Sequence, residues 1–348
     1  MKYLIYGAYG YTGRLICDLA KAEGLAFTVA GRNKAKIDQL AKDLSVEGEA
    51  FDLADITALD KQLSAHDAVI HCAGPFSATS RPMVEGCLRT GTHYVDITGE
   101  IEVFEMLAKY DGEAKRKGIS ILPGAGFDVV PTDCMAAFLK NELPTATHLE
   151  MGFASKSSFS RGTALTMAES MHKGGAVREN GEVKTVPNAY RTREIEVDRK
   201  KKSFVSIPWG DVSTAYYSTG IPNITLYYGA HPKSIKRLKK MNAIKWIFGL
   251  GFVQGIIKHN IDKKITGPAK ETRETARTFI WGEVRDEEGN VARGELRTIE
   301  GYNLTTRSVI KVMQKMQQKP LEKGFLTPSR AFGMDYILEF PDTERKLV

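Results

Sequence analysis

The sequence has few cysteines, and their spacing excludes the common cysteine-based sites. Four cysteines are scattered over 348 residues, and none forms a Cys-x-x-Cys pair. This usage predicts reduced thiols in a reducing compartment and no structural zinc. No cluster of His, Cys and Asp has metal-ligand spacing either, so we expect no metal. Because the chain starts directly with a core-type strand, we expect no signal peptide and a cytoplasmic location.

Neither charge nor hydrophobicity dominates the composition. Hydrophobic residues make up 42% and charged residues 26% of the chain, which is ordinary for a soluble globular protein, and the length predicts two domains. The net charge is +7, with basic clusters at residues 199–202 and 233–264. We expect solvated loops or attraction to anionic cofactors and lipid surfaces at these clusters, and no nucleic-acid binding.

One apolar segment, residues 243–257, is flanked by lysines and an arginine before it and by lysines after it. It is too short and too broken by glycine to span a bilayer, which needs about 20 apolar residues. The favoured interpretation is a buried helix in the second domain or at a homodimer interface. The alternative is an element that touches a membrane surface, or the wall of an apolar substrate pocket.

The start of the chain carries the strongest functional motif. An apolar run, residues 3–6, leads into Gly7, Gly10 and Gly13 and then into a helical pattern. Strand, glycine turn and helix in this order are typical of a dinucleotide-binding Rossmann unit. Gly10 lets a pyrophosphate approach the backbone, and the N–H groups at the helix N-terminus hold it. The cofactor contacts predicted from this turn are Gly7, Tyr9, Gly10, Tyr11, Thr12 and Gly13.

The end of the second predicted strand indicates which nicotinamide cofactor binds. An NAD site usually has Asp or Glu there, whereas this chain has Arg32, followed by Asn33. A guanidinium fork suits a ribose 2′-phosphate and can also stack on adenine. Lys34 and Lys36 add positive charge at the start of the next helix. The sequence therefore predicts NADP(H) as the cofactor.

Two later segments complete the predicted cofactor site. Asp52 and Leu53 follow the third strand; Asp52 can accept a hydrogen bond from the adenine amino group or cap the next helix, and both alternatives stay open. Small residues after the fourth strand allow close approach to the diphosphate and the nicotinamide ribose. The contacts predicted here are Cys72, Ala73, Gly74, Pro75 and Phe76.

The order of predicted elements indicates an α/β fold followed by an α+β domain. Strands and helices alternate up to residue 122, which predicts a doubly wound parallel sheet with nearly continuous apolar strands. From about residue 148 strand patterns dominate, and the residues between 285 and 294 predict a hairpin. We expect a nucleotide-binding domain over residues 1–135, a second domain with a mostly antiparallel sheet over 136–320, and a C-terminal segment, 321–348, that packs back on the first domain.

Several motifs together resemble the saccharopine dehydrogenase-like family, and most closely its branch of trans-acting enoyl reductases. They are GAYGYTGR (7–14), AGR (30–32), CAGPF (72–76), GTHYVDITGE (91–100), GFDVVPTD (126–133), SRGTA (160–164), IPWGDVSTA (207–215) and GFLTPSRAFG (324–333). The resemblance implies a Rossmann domain, an α+β domain with a cleft between the two, and NADPH-dependent oxidoreductase chemistry. It leaves the substrate open.

The catalytic residues are harder to predict. None of the 13 tyrosines has a lysine four residues later, so the Tyr-x-x-x-Lys pair of short-chain dehydrogenases is absent. Asp128, in a turn after the sixth strand, can act as an acid, orient the nicotinamide amide or cap a helix. From the second domain, Arg161 can bind a carboxylate or thioester oxygen and Tyr216 can donate a proton. Each of these side chains also has a structural interpretation.

The function that we predict is hydride transfer from NADPH to a C=C or C=O bond of an apolar, thioester-linked or lipid-like small-molecule substrate. The leaning towards an apolar substrate comes from the segment around Trp246. One alternative is a C–N dehydrogenase acting on an amino acid, which should show several arginines for carboxylates. Another is a non-catalytic NADP(H)-binding protein.

Overall fold

The computed structural model describes residues 1–170, 172–197, 199–265 and 267–348. The chain forms two units: residues 1–130 with 302–331, and residues 131–301 with 332–348. This division differs from the expected boundaries in the last part of the chain. Residues 302–320 lie in the first unit rather than in the second, and residues 332–348 lie in the second unit rather than in the first.

The first unit contains a parallel sheet in Rossmann order. Its strands are β1 (Tyr3–Tyr6), β2 (Phe27–Gly31), β3 (Glu47–Ala50), β4 (Ala68–His71), β5 (His93–Asp96), β6 (Ser120–Leu122) and β15 (Gly324–Phe325), in the order β15-β6-β5-β4-β1-β2-β3. Ile5 lies beside Val29 on one side and Ile70 on the other. The strand order reverses between β1 and β4, and ligands of such sheets bind at the carboxyl ends of the strands next to this point.

The helices of the first unit connect these strands. They are α1 (Tyr11–Ala22), α2 (Lys34–Leu44), α3 (Ile56–Ser64), α4 (Phe76–Thr90), α5 (Ile101–Ala108), α6 (Asp111–Lys117), α13 (Gly301–Gln318) and α14 (Pro328–Phe332). α4 begins at Phe76, earlier than the helical pattern from residue 81 predicts. The Glu100 carboxylate accepts hydrogen bonds from the backbone N–H groups of Phe76 and Ser77, so another loop supplies the cap that the local sequence lacks.

Helix α13 belongs to the first unit because its buried face packs there. The Tyr3 hydroxyl, on β1, donates a 2.5 Å hydrogen bond to the Met313 carbonyl. Leu304, Val309 and Met313 are buried on the same helix. The expectation that residues up to 320 form part of the second domain rested on sequence order, whereas residues 302–331 group with the first unit.

The second unit contains a mixed, mostly antiparallel sheet. Its strands are β7 (His148–Ser155), β8 (Gly175–Glu179), β9 (Glu182–Val186), β10 (Thr192–Val197), β11 (Lys200–Ser206), β12 (Asn223–Gly229), β13 (Arg277–Arg285), β14 (Val291–Ile299) and β16 (Glu344–Leu347). The main path is β10-β11-β12-β7-β13-β14-β16, with β8 and β9 attached to β12. Only β7 and β12 pair in parallel among the described strands of this sheet. The predicted fold class is confirmed for both sheets.

The helices of the second unit are α7 (Val130–Glu142), α8 (Arg161–Ser170), α9 (Asp211–Thr219), α10 (Pro232–Met241), α11 (Gly251–Lys264) and α12 (Lys270–Thr275), with 3-10 turns at Asn242–Gly249 and Tyr336–Glu339. The final strand, β16, pairs with β14 through Arg345 and Leu296. This pairing holds the C-terminus in the second unit. Among the described helices, none has both the length and the apolar character needed to cross a membrane.

The interpretation of residues 243–257 as a buried helix is wrong within this chain. The segment forms a 3-10 turn and the first half of α11, and its large side chains point outwards: Trp246 is 65% and Phe252 70% exposed. The polar Gln254 points inwards instead, where its amide donates hydrogen bonds to the carbonyls of Phe248 and Ala168. Gln254 thus links α11 to the preceding 3-10 turn and to α8, while Trp246 and Phe252 lie on the surface.

Candidate functional site

The glycine turn after β1 is in direct contact with the loop after β4. Gly7 has φ +84°, and a Cβ atom there would lie 2.7 Å from the Ala73 backbone nitrogen. A Cβ atom on Gly13 would collide with the Gly7 carbonyl oxygen. Both positions therefore require glycine for space, and Gly7 also for its backbone conformation. The predicted segments 7–13 and 72–76 meet at the strand-order reversal.

Helix α1 starts with its N-terminus open towards this turn. Gly10 is the N-cap residue, and no side chain among the described residues caps the helix. The Gly10 N–H donates to the Gly7 carbonyl, which tightens the turn. Tyr11 and Thr12 follow in the first helical turn. Uncapped N–H groups and the positive end of the helix dipole suit a pyrophosphate group, so the cradle fits a dinucleotide.

The basic residues after β2 differ in their partners. Arg32 is exposed and has no hydrogen bond or ion pair with any described residue. Lys34 is paired with Asp38 at 2.9 Å. The Lys36 ammonium lies 5.4 Å from the centre of the Tyr9 ring, and that ring packs on Gly31, where a Cβ atom would lie 2.6 Å from Tyr9 Cε1. Arg32, Lys36 and Tyr9 can thus hold the phosphate-bearing adenosine end of a cofactor.

Asn33 and Asp52 each have a structural partner. Asn33 Oδ1 accepts from the Lys36 backbone N–H and caps α2. Asp52 Oδ1 accepts from the Ala54 N–H in a tight turn, while the cap of α3 is Asp55, which accepts from the Ala58 N–H. Of the two alternatives for Asp52, helix capping is therefore wrong. Leu53 is buried, in contrast to the exposed Asp52.

The loop of residues 72–76 is anchored from α4. The Thr79 hydroxyl donates to the Ala73 carbonyl at 2.7 Å, and the Nε2 atom of His71 lies 2.9 Å from the same hydroxyl. Burial lowers the pKa of His71 to about 3, so its ring is neutral, and Nε2 donates to Thr79. This pair was not predicted from the sequence, although the histidine at the end of an apolar strand is a signal that could have indicated it. Cys72 and Phe76 are partly buried, and Gly74 and Pro75 are exposed.

Carboxyl groups gather at the carboxyl ends of β5 and β6. Buried Asp96 accepts hydrogen bonds from the Tyr94 hydroxyl and from the Thr98 and Gly124 N–H groups. Burial raises its pKa to about 6, and these hydrogen bonds oppose the rise. Together with the carboxylate of Glu100, which precedes α5 and accepts hydrogen bonds from the N-terminus of α4, this makes the edge acidic rather than basic.

Asp128 lies at the same edge. A Cβ atom on Gly99 would lie 2.7 Å from Asp128 Oδ2, so the carboxyl group packs directly on the Gly99 backbone. Burial raises the pKa of Asp128 to about 7. A carboxyl group that is half protonated near neutral pH has the proton-donating capacity that a reductase needs.

Arg161 and Tyr216 lie in the second unit. Arg161 begins α8 and is exposed. The Tyr216 ring stacks 4.3 Å from the guanidinium of buried Arg178, which donates to the carbonyls of Val212 and Gly181. This stacking gives Tyr216 a structural role in its own unit. Roles for Arg161 and Tyr216 in catalysis stay predictions.

Comparison with known proteins agrees with this geometry. Residues 3–122 match the family model described as saccharopine dehydrogenase NADP binding domain. Residues 3–122 are therefore similar to the NADP-binding domain of saccharopine dehydrogenases, which confirms the predicted resemblance and the predicted NADP(H) cofactor.

Relatives extend the similarity to different lengths. A mouse saccharopine dehydrogenase-like oxidoreductase is 29% identical over 40% of this chain and 37% of its own length. A trans-acting enoyl reductase of Mycobacterium leprae is 29% identical over 37% of this chain and 33% of its own. A lipid droplet localized protein of Caenorhabditis elegans is 25% identical over 97% of this chain and 95% of its own. The matches to the two oxidoreductases thus span only about a third of the length of each of those relatives.

A solved structure shares the whole fold. Saccharopine dehydrogenase (L-Glu forming) of Saccharomyces cerevisiae superimposes with a TM-score of 0.66 over 100% of this chain and 99% of that chain, at 14% identity. At this low sequence identity, the structural similarity shows the fold alone, including the mixed sheet that follows the Rossmann domain.

Proposed function

We propose that this protein is an NADPH-dependent oxidoreductase that reduces a C=C or C=O bond of an apolar or thioester-linked substrate. The observation that carries the proposal is the Asp128 carboxyl group, which packs on Gly99 at the edge of an NADP-binding sheet and has a pKa raised to about 7. When bound, NADPH supplies the hydride. Asp128 donates the proton that completes the reduction. The proton goes to the substrate atom that becomes negatively charged when the hydride is added.

The cofactor-binding roles follow the geometry described above. The N–H groups of the glycine turn bind the pyrophosphate, and Arg32 binds the 2′-phosphate with Lys36 beside it. Tyr9 and the Asp52–Leu53 turn line the adenosine side. Residues 72–76, held by Thr79, face the ribose of the reactive end.

The charge at the sheet edge favours a substrate without carboxylates. Asp96 and Glu100 lie near the end of β5, and their negative charges repel the carboxylate of an amino-acid substrate there. A C–N dehydrogenase for amino acids should instead present arginines at this edge. The acidic edge therefore supports an uncharged, apolar substrate over the amino-acid alternative.

The test is a comparison of substrate classes with one variant. We expect NADPH oxidation with trans-2-enoyl thioesters or apolar ketones, and none with glutamate plus an aldehyde. Asp128→Asn should lower kcat by about 10²- to 10⁴-fold and leave the Kd for NADPH unchanged. Full activity of this variant would remove Asp128 as the acid. NADPH binding without turnover of either class would favour the non-catalytic alternative.

We also propose that the protein contacts a lipid surface through residues 243–257. Ile244, Trp246, Phe252 and Ile256 form an exposed apolar face, and α10 next to it carries the exposed Lys236, Arg237, Lys239 and Lys240. Apolar side chains flanked by basic ones bind anionic lipid interfaces. The Caenorhabditis elegans relative, which is named lipid droplet localized protein, supports the proposed contact with a lipid surface.

Liposome flotation tests the lipid contact. The protein should float with phosphatidylcholine liposomes that contain phosphatidylserine at low salt, and less at high salt. Ile256→Ser should weaken flotation, whereas the control Ile56→Ser, in the other unit, should not; the two side chains are 59% and 60% exposed. If the protein floats neither at low salt nor at high salt, the proposal is wrong. A dimer in light scattering that Ile256→Ser dissociates would instead assign this face to the expected homodimer.

A further inference from the structure

Helix α13 reaches the acidic edge of the sheet from the far end of the chain. Its position is fixed by the hydrogen bond from the Tyr3 hydroxyl to the Met313 carbonyl. Its first turn places the Tyr302 ring edge-on to Tyr11, with 5.2 Å between the ring centres, at the start of α1. The same helix turn therefore borders the phosphate end of the candidate site.

Thr305, one turn into α13, touches the segment that carries Asp128. The Phe127 N–H donates a 2.9 Å hydrogen bond to Thr305 Oγ1, across 178 residues of sequence. A Cβ atom on Gly126 would lie 2.9 Å from Thr305 Cγ2 and 3.0 Å from its Oγ1. A hydrogen bond and a close approach that only glycine permits thus bring the Thr305 side chain against residues 126–127.

The turn has a second anchor on its own side. The backbone N–H groups of Val129 and Val130 both donate to the Gly126 carbonyl. Asp128 follows Phe127 within this turn and its carboxyl group packs on Gly99, so a shift of Phe127 should also displace the Asp128 carboxyl group. The Phe127 N–H has a side-chain acceptor on α13 rather than a carbonyl in the turn.

Titratable groups on the elements that border this turn have partners of their own. On the neighbouring loop, Asp96 and Glu100 accept backbone N–H groups. On α13, the Arg307 guanidinium donates to Asn303 Oδ1. Burial is the cause that raises the pKa of Asp128, so movement of the turn should lower this pKa by letting water in.

We propose that Thr305 is a positioning residue: its hydroxyl holds the Phe127 N–H and thereby keeps the Asp128 carboxyl group packed on Gly99. The catalytic part of this inference rests on the proposed function, in which Asp128 delivers the proton. The structural part does not, because the protonation state of Asp128 can be measured without substrate.

The experiment is a pH titration of the full chain labelled with ¹³C at the aspartate carboxyl carbons, with Asp128→Asn to assign the signal. We expect a midpoint near pH 7 in the parent protein and at least about one unit lower in Thr305→Val. Thr305→Ser should restore the midpoint. The control is Thr306→Val. Thr306 is 7% exposed and Thr305 8%, so the two side chains are buried to a similar degree. The Thr306 hydroxyl, however, donates to the Tyr302 backbone carbonyl within α13.

Turnover gives the second readout. An acid must be protonated to act, so activity falls as pH rises through its pKa, and a one-unit drop of the Asp128 pKa lowers kcat at pH 7 by about fivefold. NADPH affinity should stay unchanged. If Thr305→Val does not fold, Thr305→Ala replaces it, because this variant removes the hydroxyl without adding a methyl group. The titration midpoint of Asp128 and the turnover are then measured on Thr305→Ala.

The outcomes separate the two proposals. An unshifted midpoint in Thr305→Val and Thr305→Ala overturns the positioning role, and leaves the proposed function standing if Asp128→Asn is inactive. A shifted midpoint with full activity of Asp128→Asn keeps the positioning role and removes Asp128 from catalysis. Equal shifts in Thr305→Val and Thr306→Val would mean general loosening of α13, which also overturns the specific role of Thr305.

Discussion

Gly7 and Ala73 are in backbone contact, with 2.7 Å between the Ala73 nitrogen and the place where a Cβ atom of Gly7 would lie. The contact joins the loops that follow β1 and β4. These strands are neighbours in the sheet, and their ends define the place where a dinucleotide lies in such folds. The requirement for glycine at position 7 is therefore both steric and conformational.

Gly7→Ala should abolish NADPH binding and destabilise the fold. The control is Gly24→Ala: Gly24 also has a positive φ, +67°, but has no atom of a described residue within 4 Å of its Cβ position. We expect Gly24→Ala to lower the free energy of unfolding by about 1 kcal/mol and to leave binding intact. Urea unfolding and calorimetric NADPH titration measure both effects. Equal loss of stability in the two variants would show that the contact with Ala73 is unimportant.

Arg32→Ala should raise the Kd for NADPH by about 10- to 100-fold and leave the Kd for NADH nearly unchanged, because only NADPH carries the 2′-phosphate. Lys34→Ala is the matched control, since Lys34 is already paired with Asp38. Lys36→Ala should have a smaller effect than Arg32→Ala in the same direction. If the parent protein binds NADH as tightly as NADPH, Arg32 does not bind the phosphate.

Thr79→Val should loosen the loop of residues 72–76, because its hydroxyl donates to the Ala73 carbonyl and accepts from His71. We expect a several-fold rise in the Kd for NADPH, of the size that follows from losing about 1 kcal/mol of hydrogen bonding, and rescue by Thr79→Ser. Thr90→Val, at the end of the same helix, is the control, because that hydroxyl donates to the Gly86 carbonyl within α4. Unchanged NADPH affinity in Thr79→Val would contradict the anchoring role.

Asp128 should also affect stability in a pH-dependent way. Its pKa is raised to about 7 in the folded protein, against about 3.9 in an unfolded chain. The group's contribution to stability is therefore fully present below pH 4 and is lost as pH rises through 7.

Asp128→Asn removes this term, so it should raise the free energy of unfolding relative to the parent protein more at pH 8 than at pH 4. Chemical unfolding at both pH values is the measurement. Asp52→Asn, at an exposed carboxylate, is the control for the loss of one aspartate elsewhere in the same unit. A pH-independent effect of Asp128→Asn would show that the pKa of Asp128 is not raised in the folded protein.

Local patterns in the sequence were sufficient for most of the first unit. The strands that flank the glycine turn, the turn itself and the arginine after β2 are short-range features, because each depends on neighbouring residues and on which face of an element is apolar. The early start of α4 was not predictable in this way. Its cap is Glu100, a residue from another loop, and the sequence around Phe76 contains no sign of it.

The apolar segment around Trp246 shows the limit of composition. Its hydrophobic content favoured a buried helix, but the glycines divide it and Gln254 makes the inward contacts. Hydrophobic content alone does not indicate which face of this segment packs against the rest of the chain. Only the packed chain shows that Trp246 and Phe252 are outside.

The sequence by itself determined the Rossmann order of the first sheet, the glycine cradle and the choice of NADP, because adjacent residues specify strand, turn and charge. The tertiary structure decided that α13 returns to the first unit, that Thr305 meets Phe127, and that Asp128 packs on Gly99. These contacts join residues far apart in the chain, and they depend on how the completed sheet buries each helix. No local periodicity contains that information.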